Sequence, residues 1–336
     1  MELIMTRNLL FDNIKLAMVF LVVFGHLIEP LLDHGHLART LYMFIYSFHM
    51  PVFIMLAGAL TKLDESEKRS YKNIASIIVP FVVFTLLYEL INLLGYRTIS
   101  HYTLNFEPHW ILWFLFSLFI WKLAFPIIMK LRFPLVISVI ISLCAGYVDD
   151  VGSFLSISRT LYFFPFFILG YKLNNTLIAK DRLFNLPAIF YWALLALIFV
   201  GLFIFKEVPY QWFYGGDSYA NLGVESNYGF VYRLFCYGLS TIAALAVFMV
   251  IPNRGEKVAS YGENSLYVYA WHGLFIKVAV YFGIMSSVAE MSSLTALLIF
   301  FVASVLLTML LASHWMASLT NKLLLQPAQQ LLLSNK

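Results

Sequence analysis

The segment IKLAMVFLVVFGHLIEPLL, residues 14–32, is apolar except for Lys15, His26 and Glu29. A helix rises 1.5 Å per residue, so a run of this length crosses most of a hydrocarbon slab about 30 Å thick. Reading outward, comparable runs recur at 42–60, 74–95, 109–127, 134–148, 158–173, 187–205, 230–251, 264–284 and 293–313. Composition agrees: 61% of the 336 residues are hydrophobic, 12% are charged and the mean hydropathy is +0.82. No water-soluble core hides that much apolar surface. The expected fold is therefore all-α, a polytopic integral membrane bundle of about ten transmembrane helices. The fifth and sixth runs are short for a crossing, and Pro165 permits a kink in the sixth. The first run carries His26 and Glu29 and lacks a small-residue cleavage site, so it is read as part of the mature chain and not as a signal peptide.

Basic residues concentrate near the cytoplasmic ends of membrane helices. With the N-terminus inside, fifteen of the 22 Lys and Arg fall on inner segments, six fall on outer ones, and Lys122 lies within the fourth run. Both termini are thus expected in the cytoplasm. The formal charge of +4 sits on the inner loops, which suits anionic lipid and not nucleic acid. The two cysteines, Cys144 and Cys236, fall in or near expected spans and imply no disulfide framework. No zinc spacing, Gly-rich phosphate loop, nucleophile elbow, low-complexity tract or repeat is present, and no metal is indicated. Any chemistry has to be built inside the bundle.

Ionisable residues within membrane spans mark function by default. Lys15 and His26 are eleven residues apart, which returns to within about 20° of the same helix face roughly 16 Å further along. Glu29 follows His26 by three residues and can orient its imidazole, while Asp12 stands in the same relation to Lys15. The ordinary alternatives are interfacial snorkelling for Asp12 and Lys15 and a structural hydrogen bond for His26. Glu89 is a second acidic candidate.

The blocks Phe11-Asp12-Asn13-Ile14-Lys15 and Val23-Phe24-Gly25-His26 resemble the first-helix signature of the acyltransferase 3 family: a basic residue, ten residues, then His. Further blocks match in order. They are Ser47-Phe48-His49-Met50-Pro51-Val52-Phe53 leading to Ala57-Gly58, Trp110-Ile111-Leu112-Trp113-Phe114-Leu115, and Asn264 to Gly273 with His272. With Arg159 to Tyr171 added, the chain resembles the fucose 4-O-acetylase-like branch over nearly its whole length. One departure is in the third run, where the family commonly carries an Arg/Lys-x-Arg pattern before a proline. Here Lys68, Arg69 and Lys72 precede Pro80 without that spacing. The chain is expected to be a single acyltransferase-like membrane domain over 1–336, with no appended soluble domain.

The resemblance implies an O-acyltransferase, usually an acetyltransferase, that draws on cytoplasmic acetyl-CoA and modifies a sugar hydroxyl of a cell-surface polysaccharide or glycolipid. It also implies residence in a bacterial cytoplasmic membrane, with membrane lipid and a glycan or lipid-linked saccharide acceptor as partners; a homo-oligomer or glycan-assembly partners remain open. In that setting Lys15, Arg69 and Lys72 are candidates for the phosphates of coenzyme A, against a plain positive-inside reading. His26 would be a general base or transient acyl carrier, with Glu29 fixing its tautomer. On the outer side, the loop near 206–229 with Trp212, together with Arg159 and Arg233, is the candidate acceptor platform; belt aromatics and topology anchors are the alternatives. His49 and His272 are further candidates. A transporter or flippase of a lipid-linked saccharide is the rival from another class, and would be favoured by inverted repeats of broken helices. A scaffold that has lost catalysis would tolerate loss of His26.

Overall fold

The computed structural model describes residues 8–63, 71–149, 154–174, 186–205, 207–224 and 227–333. Among them there is helix and no strand. Each expected run contains a helix: α1 (Leu9–Ile28), α2 (His36–Ala59), α3 (Val79–Tyr96), α4 (Trp113–Ile128), α5 (Pro134–Ala145), α6 (Ile157–Lys172), α7 (Ala188–Ile204), α8 (Gly229–Val250), α9 (Ser265–Tyr281) and α10 (Ser293–Leu311). Among the described residues, six segments are long and apolar enough to cross a membrane: Leu9–Leu31, His36–Ala59, Tyr71–Tyr96, Phe154–Lys172, Gly229–Val250 and Ser293–Leu311. Helices α4, α5 and α7 are apolar but shorter. Large apolar side chains stay exposed along the helices, among them Leu86, Leu197, Leu298 and Leu306. Such faces need lipid, so this is a multi-pass membrane protein.

Proline chemistry explains the irregular turns. Pro80 and Pro327 have no N–H to give to the preceding turn. Each is preceded by a turn of wider, π-type helix, Ile74–Ile78 and Asn321–Leu325, closed by Val79 N–H to Ile74 O and Gln326 N–H to Asn321 O. Pro165 lies within α6 without ending it. The fourth run starts later than expected, because residues 107–112 are not helical and Trp110 has a φ of +21°. An unanticipated helical tail, His314–Leu332, follows α10; its Asn, Lys and Gln residues hold it below spanning hydrophobicity. Trp271 donates to Thr320 at 2.9 Å and Gln329 to the Ala75 carbonyl at 3.0 Å, so the tail is pinned along one end of the bundle.

That end also carries Lys15. Asn13 donates to the carbonyls of Pro252 and Arg254, and Asn264 to that of Ala312, so the starts of α1 and α9 and the end of α10 gather there. Glu29 lies at the other end of α1. The interior forms two apolar clusters. One joins α2, α4, α6, α7 and α8, and the other joins α3, α9, α10 and much of α1. The first is fastened by Gly58 and Gly170: a Cβ on Gly58 would strike the Phe167 carbonyl, and one on Gly170 the Met55 carbonyl. Only hydrogen fits there, which lets the α2 and α6 backbones touch, as membrane helices do where small residues meet. Tyr46, Phe53, Phe114 and Leu118 pack against both clusters and mark the seam between them.

Candidate active site

The seam is hollow at two levels. Towards the Glu29 end is a cavity of about 110 Å³ lined by His26, Glu29, Tyr42, Tyr46, His49 and Arg159. Towards the Lys15 end is a largely apolar cavity of about 280 Å³, walled by Phe53, Leu56, Ile77 and Phe114, with Lys15 and Lys122 at its edge. Both include Val22, Met50 and Tyr269, so the two levels adjoin. Lys15, Val22, His26 and Glu29 are spaced seven, four and three residues apart, one face of α1. The stripe read from the sequence is the line along which the two cavities run.

At the upper level His26, Tyr42 and Tyr46 converge on Glu29. His26 Nδ1 lies 2.8 Å from Glu29 Oε1, and the hydroxyls of Tyr42 and Tyr46 donate to the same oxygen at 3.2 and 3.4 Å. An ionised carboxylate only accepts, so in the neutral imidazole the hydrogen sits on Nδ1 and Nε2 is left with a bare lone pair. The ring is fixed from the sides as well. Trp110 meets it at 4.6 Å between centroids, His272 stacks on it at 5.6 Å and Tyr46 stands edge-on at 6.3 Å. The non-helical turn before α4 is what brings the Trp110 indole there. His26 is a half-buried, oriented base of defined tautomer beside a cavity.

His49 and His272 share a different device. Each donates Nδ1–H to the carbonyl four residues earlier, Ile45 at 2.8 Å and Val268 at 3.0 Å. That leaves Nε2 as an acceptor in both, and Nε2 of His272 is buried without a hydrogen-bond partner among the described residues. His49 lines the upper cavity, while His272 stands behind it, against the rings of His26 and Tyr269. Arg159, just inside the start of α6, extends over the Trp113 ring at 5.5 Å and has no hydrogen-bond or ion-pair partner among the described residues. Gly216 packs on its guanidinium, and Ser158 donates to the Gly215 carbonyl at 2.9 Å, so the loop after α7 is stitched over the cavity.

Other candidates lie elsewhere. Arg233 is buried; it donates to the carbonyls of Ser142 at 2.8 Å and Asp217 at 3.0 Å and sits against the rings of Tyr162 and Tyr219. It organises the loop and does not line the cavity. Trp212 is likewise buried, packed between Tyr219 and Tyr232, and Phe213 and Tyr214 take the cavity wall in its place. Tyr214 hydrogen-bonds Tyr42 through the hydroxyls, extending the Glu29 network into the loop. Burial raises the Asp217 carboxyl despite the pull of Arg159 and Arg233. Glu89 accepts from Ser100 N–H at 2.9 Å and from the hydroxyls of Ser100 and Thr103, and it contacts His109 Nε2 at 3.2 Å. It anchors the loop before α4 and lines neither cavity.

At the lower level Lys15 pairs with Asp12 at 2.9 Å, the predicted i,i+3 contact. Lys122 donates to Asn73 at 3.4 Å and shares the cavity edge with Lys15 and Ser76. Lys72 is exposed and outside the cavity lining, and Arg69 lies outside the described residues. Tyr42, Tyr46 and Lys122 were not among the residues singled out by sequence, and Tyr214 was there only as one aromatic of the outer loop. The four- and three-residue intervals that join Tyr42 and Tyr46 to His49 on α2 are the signal that could have pointed to the two tyrosines.

A family model described as an acyltransferase domain, that of acyltransferase 3, matches residues 8–313, and the chain belongs to this family. It is thereby a membrane acyltransferase. Neither the curated proteins nor the solved structures include a match to this chain.

Proposed function

We propose that the protein is an O-acetyltransferase that takes acetyl from cytoplasmic acetyl-CoA and places it on a sugar hydroxyl of a cell-surface polysaccharide or glycolipid, as enzymes like those of the fucose 4-O-acetylase-like branch would. The observation that carries the reading is the adjoining pair of cavities along one face of α1, with Lys15 at one and the His26–Glu29 pair at the other. In this reading all ten apolar helices cross the bilayer, both termini are cytoplasmic, and the Lys15 end faces the cytoplasm of a bacterial inner membrane.

The donor's phosphates lie at the inner mouth, where Lys15 and Lys122 offer ammonium groups, with Lys72 and Arg69 as further candidates. Its flexible arm occupies the apolar lower cavity, which excludes water from the thioester. At the junction near Val22 and Tyr269 the acetyl carbonyl reaches the upper cavity. His26 Nε2 takes the proton from the acceptor hydroxyl as that oxygen bonds to the carbonyl carbon. Collapse breaks the C–S bond, and the proton passes from His26 to the departing thiolate. Glu29 stabilises the imidazolium formed between these steps, and Tyr42 and Tyr46 hold Glu29 in place. Trp110, Trp113 and Tyr214 offer flat faces to a sugar, and Arg159 offers a charge or hydrogen bonds to its polar edge.

The test is ester-linked acetyl on surface glycans of a null strain complemented with wild-type protein or His26→Ala at matched membrane levels. Restoration by wild type alone supports the reading. Equal restoration by His26→Ala removes His26 from the mechanism, and an unchanged acetyl content in every strain points to another acyl group or to transport.

A further inference from the structure

A third cavity, of about 360 Å³, reaches His26 and Glu29 from another side, and Trp110 stands between it and the cavity of Arg159, lining both. Its walls come from Tyr96 at the end of α3, Ile276 and Val280 on α9, and Met285 beyond. Tyr96 and Val280 are about half exposed, and Tyr96 meets Tyr281 edge-on at 5.6 Å beside the mouth. Leu94, two residues before Tyr96, and Phe282, which follows Tyr281, are 73% and 70% exposed. The mouth therefore opens sideways between the ends of α3 and α9, among apolar residues that face lipid.

Lys277 lines this cavity. Its ammonium lies 5.6 Å from the centre of the Tyr88 ring and has no hydrogen-bond or ion-pair partner among the described residues. The neighbouring acid, Glu89, directs its oxygens to Ser100, Thr103 and His109. Glu89 acts on this cation only through its field, and among the described residues no acid contacts it, so a ligand phosphate can supply the direct partner that a half-buried ammonium lacks. Lysine suits phosphate as a compact point charge, and His101 and Tyr102 add hydrogen-bonding groups to the same cavity.

We propose that this groove binds an amphiphile with a phosphate head, the lipid-linked form of the acceptor. Its phosphate rests on Lys277, its chain leaves between α3 and α9 into the leaflet at the Glu29 end, and its sugar is presented to His26. The inference rests on the acyl-transfer reading for the role of the sugar, but the site itself is tested by binding alone.

The experiment uses full-length protein in nanodiscs of phosphatidylcholine, with a photoreactive long-chain prenyl monophosphate as probe and the matching prenyl alcohol as control. Wild type is expected to prefer the phosphate by about tenfold, the worth of one partly buried charge-assisted contact. Lys277→Met loses that preference, and Lys277→Arg keeps it. The proposal is overturned if Lys277→Met keeps the preference, or if phosphatidylglycerol at equal mole fraction or millimolar inorganic phosphate displaces the probe. Acetyl transfer by a His26→Ala protein with intact binding would instead sink the catalytic reading and leave this site standing.

Discussion

Replacing Glu29 with Gln isolates a charge from a geometry. The amide oxygen still accepts from His26 Nδ1 and from Tyr42 and Tyr46, so the tautomer that bares Nε2 is kept, and only the negative charge 2.8 Å from Nδ1 is lost. Two unit charges about 4 Å apart interact by about 4 kcal/mol at an effective dielectric of 20. The Glu29 side chain is 35% exposed and that of His26 14% exposed, so solvent screens part of this. About 2–3 kcal/mol remains, roughly a 10²-fold fall in kcat. The assay is thiol release from acetyl-CoA by protein in nanodiscs supplied with the glycan acceptor. The donor KM should stay near wild type, because Glu29 lies at the level opposite the Lys15 mouth. A kcat within about twofold of wild type would refute the claim that Glu29 stabilises a transition-state imidazolium.

The same structure makes sharper demands elsewhere. Gly170→Ala forces a methyl into the Met55 carbonyl and should cost about 1–3 kcal/mol of stability in a thermal melt in detergent. Gly201→Ala on α7 meets nothing and should be neutral or stabilising by up to about 1 kcal/mol; equal effects at the two positions would contradict the α2–α6 contact. Lys122→Ala should raise KM for acetyl-CoA by about tenfold, as loss of a charge-assisted contact does, and leave KM for an acetyl thioester lacking the nucleotide unchanged. His109, buried in the loop before α4, is pulled down to about 4, first by burial and then by the charge of Lys277. Because its folded value lies below the unfolded value near 6.5, the unfolded chain binds the extra proton, and stability should fall as pH drops from 6.5 towards 4. His109→Gln should flatten that part of the melting-temperature profile.

Much of the fold was legible because hydropathy reports burial in lipid directly, and every apolar run read from the sequence holds a helix. The helical tail after α10 was not, since its polar residues hide it from that measure. At the site, the ion pairs of α1 were legible because a three-residue separation on one helix fixes contact whatever the neighbours do. Contacts across elements were not. Nothing local says that Tyr214 would reach Tyr42, that the buried Arg233 would spend its donors on the carbonyls of Ser142 and Asp217, or that Glu89 would be taken by Ser100, Thr103 and His109. Lys277 reads in sequence as an outer-end topology charge; only the shape of the groove gives it another use.

The central claim is that His26 moves the proton in acyl transfer. Its most direct test is ester formation by purified wild type and His26→Ala, with labelled acetyl-CoA and the glycolipid fraction of a strain lacking the protein. Loss of about 10²–10⁴-fold in kcat, with acetyl-CoA binding intact, is the predicted result for a general base. Undiminished ester formation by His26→Ala would contradict the account.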